Sequence, residues 1–309
     1  MTLMRHVIST HDFDAASVSQ LMDSAEAMRR ESREVLLKRL RGAVVATLFY
    51  EPSTRTRLSF ESAVTRLGGR ILGAENAREN SSAKKGESLD DVFRVVGCYA
   101  DAIVIRHHET NAIAESARVS PVPIINAGAG SGEHPTQALL DVYTIWRELG
   151  RLDGLHVCVM GDLKYGRTVH SLLRMLTYFS DIDITLLHPD SLDLPEPLRE
   201  ELAASTLRMH REHDVRHAMA DADVVYQTRV QRERLASPQE ADEAKDYVIG
   251  QTHLEVLKPS ARILHPLPRV DEIAPDIDND ERAAYFRQVE NGLYIRMALI
   301  DEILKGVLS

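Results

Sequence analysis

Glu51-Pro52-Ser53-Thr54-Arg55-Thr56-Arg57 decides the fold class, because of what flanks it. Before it, residues 43–49 form an apolar, β-branched run with the length of a buried strand. After it, Phe60, Val64 and Leu67 recur at the spacing of one helix face, and Gly68-Gly69 ends the pattern. The stretch is therefore a strand-to-helix turn. Free backbone N–H groups and the positive end of the helix dipole collect at such a place. Ser53, Thr54 and Thr56 interleaved with Arg55 and Arg57 make it an oxyanion site, with phosphate the best-matched anion. A Ser/Thr cap followed by solvated arginines is the alternative, but a cap needs one hydroxyl rather than three.

Working outward, the same alternation of strand and helix continues. Periodicity predicts helix over 12–40, strand at 70–74, helix at 87–100, strand at 102–105, helix at 111–118 and strand at 122–126. A glycine-rich loop at 128–132 precedes a helix that opens on His134-Pro135-Thr136-Gln137 and runs to Leu149, with Pro135 suited to a first turn. Gly150 to Gly154 is the boundary signal. Beyond it, strands are expected at 155–160, 182–187, 223–227 and 262–265. Helices are expected at 167–179, 197–204, 214–220, 251–257 and 281–287, with a last one from about Gly292. The fold class is α/β: two domains, each an open, mainly parallel sheet flanked by helices. The domains are 1–150 with the C-terminal helix 290–309, and 151–289. A chain of 309 residues suits two such cores.

Ligands of open α/β sheets bind beyond the C-terminal ends of the strands. Residues just past each strand are Ser53 to Thr56, Arg106, then His134 and Gln137. In the second half they are Gly161 to Arg167, Arg229 with Gln231, and His265 to Arg269. Arginines recur at equivalent topological places, which scattered surface charge would not do. A cleft between the domains lined by them suits a substrate with several negative charges, since guanidinium forks onto phosphate and carboxylate. Two stretches are decoys. Gly128-x-Gly130-x-Gly132 is half a dinucleotide fingerprint with its third glycine misplaced. Gly161-Asp162-Leu163-Lys164-Tyr165-Gly166-Arg167-Thr168 nearly spells a phosphate loop, but Arg167 stands where that loop needs lysine, and Leu163 and Tyr165 hinder wrapping.

Composition narrows the rest. The net charge of −10 argues against a general nucleic-acid surface. Cys98 and Cys158 lack metal-ligand spacing and read as buried small hydrophobes, Cys98 within a helical apolar stripe. Arg5, His6, His11 and Asp12 interrupt any leader-like apolar core, and no run reaches the roughly 18 apolar residues a span needs. A soluble cytoplasmic protein without metal, nucleic-acid or membrane partners is the expectation.

Taken together, Ser53-Thr54-Arg55-Thr56-Arg57, His134-Pro135-x-Gln137 and His265-Pro266-Leu267-Pro268-Arg269 resemble the aspartate/ornithine carbamoyltransferase family over nearly the whole chain. Pro266 stands where ornithine enzymes carry cysteine. Arg229, Gln231 and the 161–168 stretch look like the aspartate branch. The resemblance implies that carbamoyl phosphate and L-aspartate give N-carbamoyl-L-aspartate and phosphate, an early step of pyrimidine synthesis, without cofactor or metal. It implies that Ser53, Thr54, Arg55, Thr56, Arg106, His134 and Gln137 bind carbamoyl phosphate. Within that set, Arg55 serves the departing phosphate, and Thr56, Arg106 and His134 the carbamoyl oxygen. Arg167, Arg229, Gln231, Lys85 and the loop Pro266, Leu267 and Pro268 would bind aspartate. Arg57 is left a structural role. No general base is evident, so the leaving phosphate is the candidate proton acceptor.

The polar stretch 76–86 reads alone as a solvated loop. In the family it carries a serine and a lysine into a neighbouring subunit's site, which assigns Lys85 and Ser81, with Ser82 beside the latter. A homotrimer with shared sites follows from the resemblance, and regulatory chains are left open as further partners. A carbamoyltransferase for another amino acid and a non-catalytic scaffold are the competing readings.

Overall fold

Residues 6–75, 86–230 and 247–308 are described by the computed structural model. They separate into two units, Met1–Leu140 with Glu290–Ser309 and Asp141–Val289. In the first, β1 (Val44–Phe49), β2 (Arg70–Glu75), β3 (Ala102–His107) and β4 (Ile124–Ala129) make one parallel sheet in the order β2-β1-β3-β4. Every residue of β3 and β4 is buried. That is why residues 102–105 and 124–125 are apolar without alternation. The helices are α1 (Ala15–Arg30), α2 (Arg33–Leu36), α3 (Thr54–Arg66), α4 (Leu89–Val96) and α5 (Ala112–Ala117). Phe60 and Val64 of α3, with Leu67 just after it, are fully buried, and each such side chain contributes about 1.5–3 kcal/mol.

Strand order matters more than strand content. From β1 the chain runs through α3 to β2 at the edge, then returns to the other side of β1 as β3. The direction of winding therefore reverses between β1 and β3, and loops leaving adjacent strands diverge at such a switch point. Register sets Phe49 opposite Arg106, and the Tyr50 N–H donates to the Arg106 carbonyl at 2.9 Å.

The second unit carries β5 (His156–Met160), β6 (Asp183–Leu187), β7 (Arg208–Glu212), β8 (Val224–Gln227) and β9 (Arg262–Leu264), all parallel, in the order β7-β6-β5-β8-β9. Its reversal lies between β5 and β8, with Met160 opposite Gln227. Its helices are α7 (Arg167–Leu176), α8 (Glu196–Ala203), α9 (Val215–Ala220) and α10 (Gln251–Leu254). Two long helices, α6 (Pro135–Leu149) and α11 (Tyr285–Leu308), contain the points where the chain passes from one unit to the other.

Several local expectations need correction. The helix expected over 12–40 breaks at Glu31 and Ser32, both extended, because the Ser32 hydroxyl caps the new helix α2 by accepting the Val35 N–H. The helix expected at 87–100 stops at Val96. Cys98 thus falls outside the helical register and is exposed rather than buried, whereas Cys158 is buried and desolvation pushes its thiol up to about 12. β7 reads Arg-Met-His-Arg-Glu and has no apolar pattern because, among the described strands, it stands at the sheet edge and is bonded only to β6. Arg208 secures it through Asp183 at 2.6 Å. No separate helix occupies 281–287: Ala283 bridges to Ile263, and one helix runs on from Tyr285 through Gly292. Gly292 is tolerated inside it because a Cβ there would approach Leu140 Cδ2 to 3.1 Å.

Candidate active site

Ser53 is the N-cap residue of α3, but its side chain makes no capping hydrogen bond. The plain cap reading therefore fails: the hydroxyl is not spent on its own helix, and a helix N-terminus without its side-chain cap suits an incoming anion. Thr54 and Arg55 are exposed on that first turn, while Thr56 is buried. Arg57 faces elsewhere. Its Nε donates to Glu61 Oε1 at 2.8 Å, and Glu61 also accepts from Thr47 at 3.0 Å.

Across the switch point stands Arg106, 8 % exposed, with Nη2 lying 3.2 Å from Glu51 Oε2. The carboxylate steadies a guanidinium that burial alone would disfavour. Gly128, at φ +121°, is where the third component joins. A Cβ there would lie 3.0 Å from Arg106 Nη1 and 3.5 Å from His134 Cδ2. The guanidinium and the imidazole thus converge over a position that only glycine fits. The turn from Ala129 to Glu133 is closed by backbone bonds, Ala129 N–H to Glu133 O and Gly132 N–H to Ala129 O. Glu133 ties it to the N-terminal segment by accepting from Ser9 Oγ, Thr10 N and Thr10 Oγ1, each at 2.7 Å. His134, 4 % exposed, then opens α6, with Gln137 buried one turn on. Hydroxyls, helix N–H groups, two guanidiniums and an imidazole at one switch point suit an anion that also presents a carbonyl oxygen.

In the second unit, Gly161 leaves β5 at φ +110°, with its Cβ position only 2.3 Å from the Thr228 carbonyl. The loops after β5 and β8 touch there, and no larger residue fits. Asp162, fully buried, accepts the Tyr165 N–H at 2.9 Å and shapes the loop that delivers Arg167 to the start of α7. Arg229 follows β8 by two residues, so Arg167 and Arg229 flank this sheet's own switch point. After β9 the chain passes through Pro266, Leu267 and Pro268. Leu267 has φ +52°, and the Leu267–Pro268 peptide is cis. Arg269 is spent on structure: both its Nη atoms bind Asp278, and the guanidinium with the Tyr285 hydroxyl holds that carboxyl below the ordinary carboxylate range.

Ser53, Thr54, Arg55, Thr56, Arg106, His134 and Gln137 therefore all fall at the C-terminal edge of one sheet, and Arg167, Arg229, Pro266, Leu267 and Pro268 at that of the other. Ser81, Lys85 and Gln231 lie outside the described residues. The positions that sequence reasoning passed over are Gly128, Glu51 as the partner of Arg106, and Glu272, which holds the His265 ring. Only the glycine-rich run hinted at the first; for the carboxylates no local signal exists. Among the described residues, no three His, Cys, Asp or Glu side chains are placed to hold a metal ion, and no helix is long and apolar enough to cross a membrane.

Comparison with known proteins gives the family. Residues 5–147 match the carbamoyl-P binding domain of aspartate/ornithine carbamoyltransferases, and residues 153–303 match their Asp/Orn binding domain. The aspartate carbamoyltransferase catalytic subunit of Methanothrix thermoacetophila is 47% identical over 306 residues, covering 99% of this chain and 100% of the relative. The catalytic subunit of M. jannaschii aspartate transcarbamoylase superposes with a TM-score of 0.91 at 43% identity, covering 98% of this chain and 99% of that one. Aspartate transcarbamoylase of Trypanosoma cruzi in complex with N-(phosphonacetyl)-L-aspartic acid gives a TM-score of 0.91 at 41% identity, covering 97% and 96%.

Proposed function

The chain belongs to the aspartate/ornithine carbamoyltransferase family, and from that premise we propose its reaction and the part each residue plays. It is an enzyme that transfers the carbamoyl group of carbamoyl phosphate to the amine of L-aspartate, giving N-carbamoyl-L-aspartate and phosphate, in pyrimidine biosynthesis. The observation that carries this reading is the delivery of cations to both switch points: Arg55 and Arg106 in one sheet, Arg167 and Arg229 in the other. A relative crystallised with a phosphonate joined to aspartate supports an anionic acceptor.

Ser53, Thr54, Arg55 and Thr56 hold the phosphate on the N-terminus of α3. Thr56, Arg106 and His134 donate to the carbamoyl oxygen, which becomes an oxyanion as the amine adds; each such donor is worth about 3 kcal/mol in the transition state. Gln137 accepts from the carbamoyl NH2. Arg167 and Arg229 fork onto the two aspartate carboxylates, with Gln231 assisting, while the carbonyls of Pro266 and Leu267, with Gln137, accept from the carbamoyl and aspartate amino groups. An ammonium acceptor such as ornithine would meet guanidinium instead of a counter-charge. The tetrahedral adduct collapses as the C–O bond to phosphate breaks, Arg55 neutralises the leaving group, and phosphate takes the amine proton. Pure protein given both substrates should form carbamoyl-aspartate in a colorimetric assay and no citrulline from ornithine. A blank with aspartate would end the reading.

Assembly and location belong to the same proposal. The protein works in the cytoplasm as a homotrimer in which Ser81 and Lys85 complete a neighbour's site. Inactive Lys85→Ala and inactive Arg55→Ala proteins, mixed under conditions of proven subunit exchange, should regain a fraction of wild-type activity, because hybrid trimers contain an intact site. Absence of rescue would mean that each chain works alone.

A further inference from the structure

Three glycines fall within residues 128–132, so the run that leads to His134 has the composition of a backbone with much conformational freedom to lose. Both ends of that run are nevertheless held, and by the same distant segment. Upstream, Asn126 is 2 % exposed and uses both ends of its amide. Its Oδ1 accepts the Gly128 N–H at 2.8 Å, and its Nδ2 donates to the Ile8 carbonyl at 2.8 Å. The Asn126 backbone N–H donates to the Val7 carbonyl at 2.7 Å, and the Val7 N–H to the Ile124 carbonyl at 2.8 Å. Downstream, the Glu133 carboxylate accepts Ser9 Oγ on one oxygen, and Thr10 N and Thr10 Oγ1 on the other.

The segment that does the holding is itself fixed. Val7 and Thr10 are fully buried, and Phe13 is buried just beyond them. Asp12 Oδ2 accepts the Ile8 and Ser9 N–H groups at 2.6 and 2.9 Å, which folds the chain into one 3-10 turn, Thr10–Asp12. Val7 and Phe13 already anchor this segment by packing. Three bonds to a charged group, converging on the residue next to His134, go beyond what anchoring needs, since each is about twice as strong as a neutral hydrogen bond.

We propose that residues 7–10 are a positioning segment for the carbamoyl oxygen site. Through Glu133 they fix the backbone that presents His134. Through Asn126 they fix Gly128, over which the His134 ring and the Arg106 guanidinium converge. The transmission is short. The Glu133 side chain is held by three donors, and the Glu133 carbonyl accepts the Ala129 N–H at 3.1 Å. The planar peptide joining Glu133 to His134 is therefore held from both sides. An oxyanion donor lowers the barrier only when it is in place before the charge develops, so loosening this peptide costs rate. The inference rests on the assignment of His134 to the carbamoyl oxygen made under the proposed function.

The test leaves every substrate-binding residue intact. Ser9→Ala/Thr10→Val removes both hydroxyls and keeps the packing. It should lower kcat about tenfold, the loss expected when bonds to a charged group are removed. Thr10→Ser keeps its hydroxyl and should stay within about twofold of wild type. Asp14→Ala removes the N-cap of α1, where Asp14 Oδ1 accepts the Ser17 N–H at 2.7 Å. It should lower the melting temperature as the double variant does, yet leave kcat within about twofold. In a His134→Ala background, Ser9→Ala/Thr10→Val should change kcat by less than about twofold, because the group it positions is gone. Wild-type kcat in the double variant, an equal kcat loss in Asp14→Ala, or a loss undiminished in the His134→Ala background would overturn the proposal. If the double variant does not fold, Thr10→Val alone decides: about a threefold loss of kcat is expected, again absent in the His134→Ala background. Wild-type protein that makes no carbamoyl-aspartate would overturn the reaction itself; an active enzyme in which the substitutions act independently of His134 would overturn this inference alone.

Discussion

Arg55→Ala should lower kcat by about 10^3-fold or more, the loss seen when a charged transition-state donor is removed. Arg55 is exposed on the first turn of α3, so its removal takes nothing from the core, and the substitution should change stability by less than about 0.5 kcal/mol. A large rate loss with an unchanged melting curve therefore reports chemistry. The size follows from timing: as the C–O bond breaks, phosphate gains charge, and the guanidinium gains most in that step. Arg55→Lys should recover only part of the rate, since an ammonium restores charge without the planar fork. A loss smaller than about tenfold in steady-state kinetics would remove Arg55 from the leaving group.

Arg229→Ala should cut kcat/KM for aspartate by about 10^2- to 10^3-fold, with carbamoyl phosphate affinity within about twofold of wild type. Truncating one partner of a hydrogen-bonded charge pair costs roughly 2–5 kcal/mol, largely because the other charge is left desolvated and unpaired. The separation of the two effects is the stronger half of the prediction. Arg229 follows β8 in the second unit, whereas the phosphate ligands lie at the β1–β3 switch of the first. Isothermal titration with carbamoyl phosphate and initial-rate kinetics with aspartate measure the two terms independently. Parallel loss of both would undo the assignment of Arg229 to the acceptor.

The legibility of this protein follows burial and chain distance. The apolar run that became β1 announced itself because a parallel strand covered on both faces has no polar side. The first-turn hydroxyls and arginines of α3 were visible because their chemistry sits within a few consecutive residues. β7 was not visible, because an edge strand facing water is written in polar residues. The exposure of Cys98 was misread because one turn of helix fewer moves a residue out of its apolar stripe. The start of α11 was misplaced because Gly292 reads as a helix breaker, whereas the Leu140 and Arg296 side chains against it leave little room for a Cβ.

The sequence by itself determined the local elements, the parallel α/β class and the residue types that stand at strand ends, since periodicity and turn chemistry act over a few neighbours. The tertiary structure decided which strands lie side by side. That order creates the switch points between β1 and β3 and between β5 and β8, and so makes partners of Glu51 and Arg106. It also decided the buried chain from Tyr226 through Asp141 and Gln288 to His265, whose members lie up to 147 residues apart. No local pattern encodes such a chain, because each polar side chain is tolerable in the interior only once its distant partner has arrived.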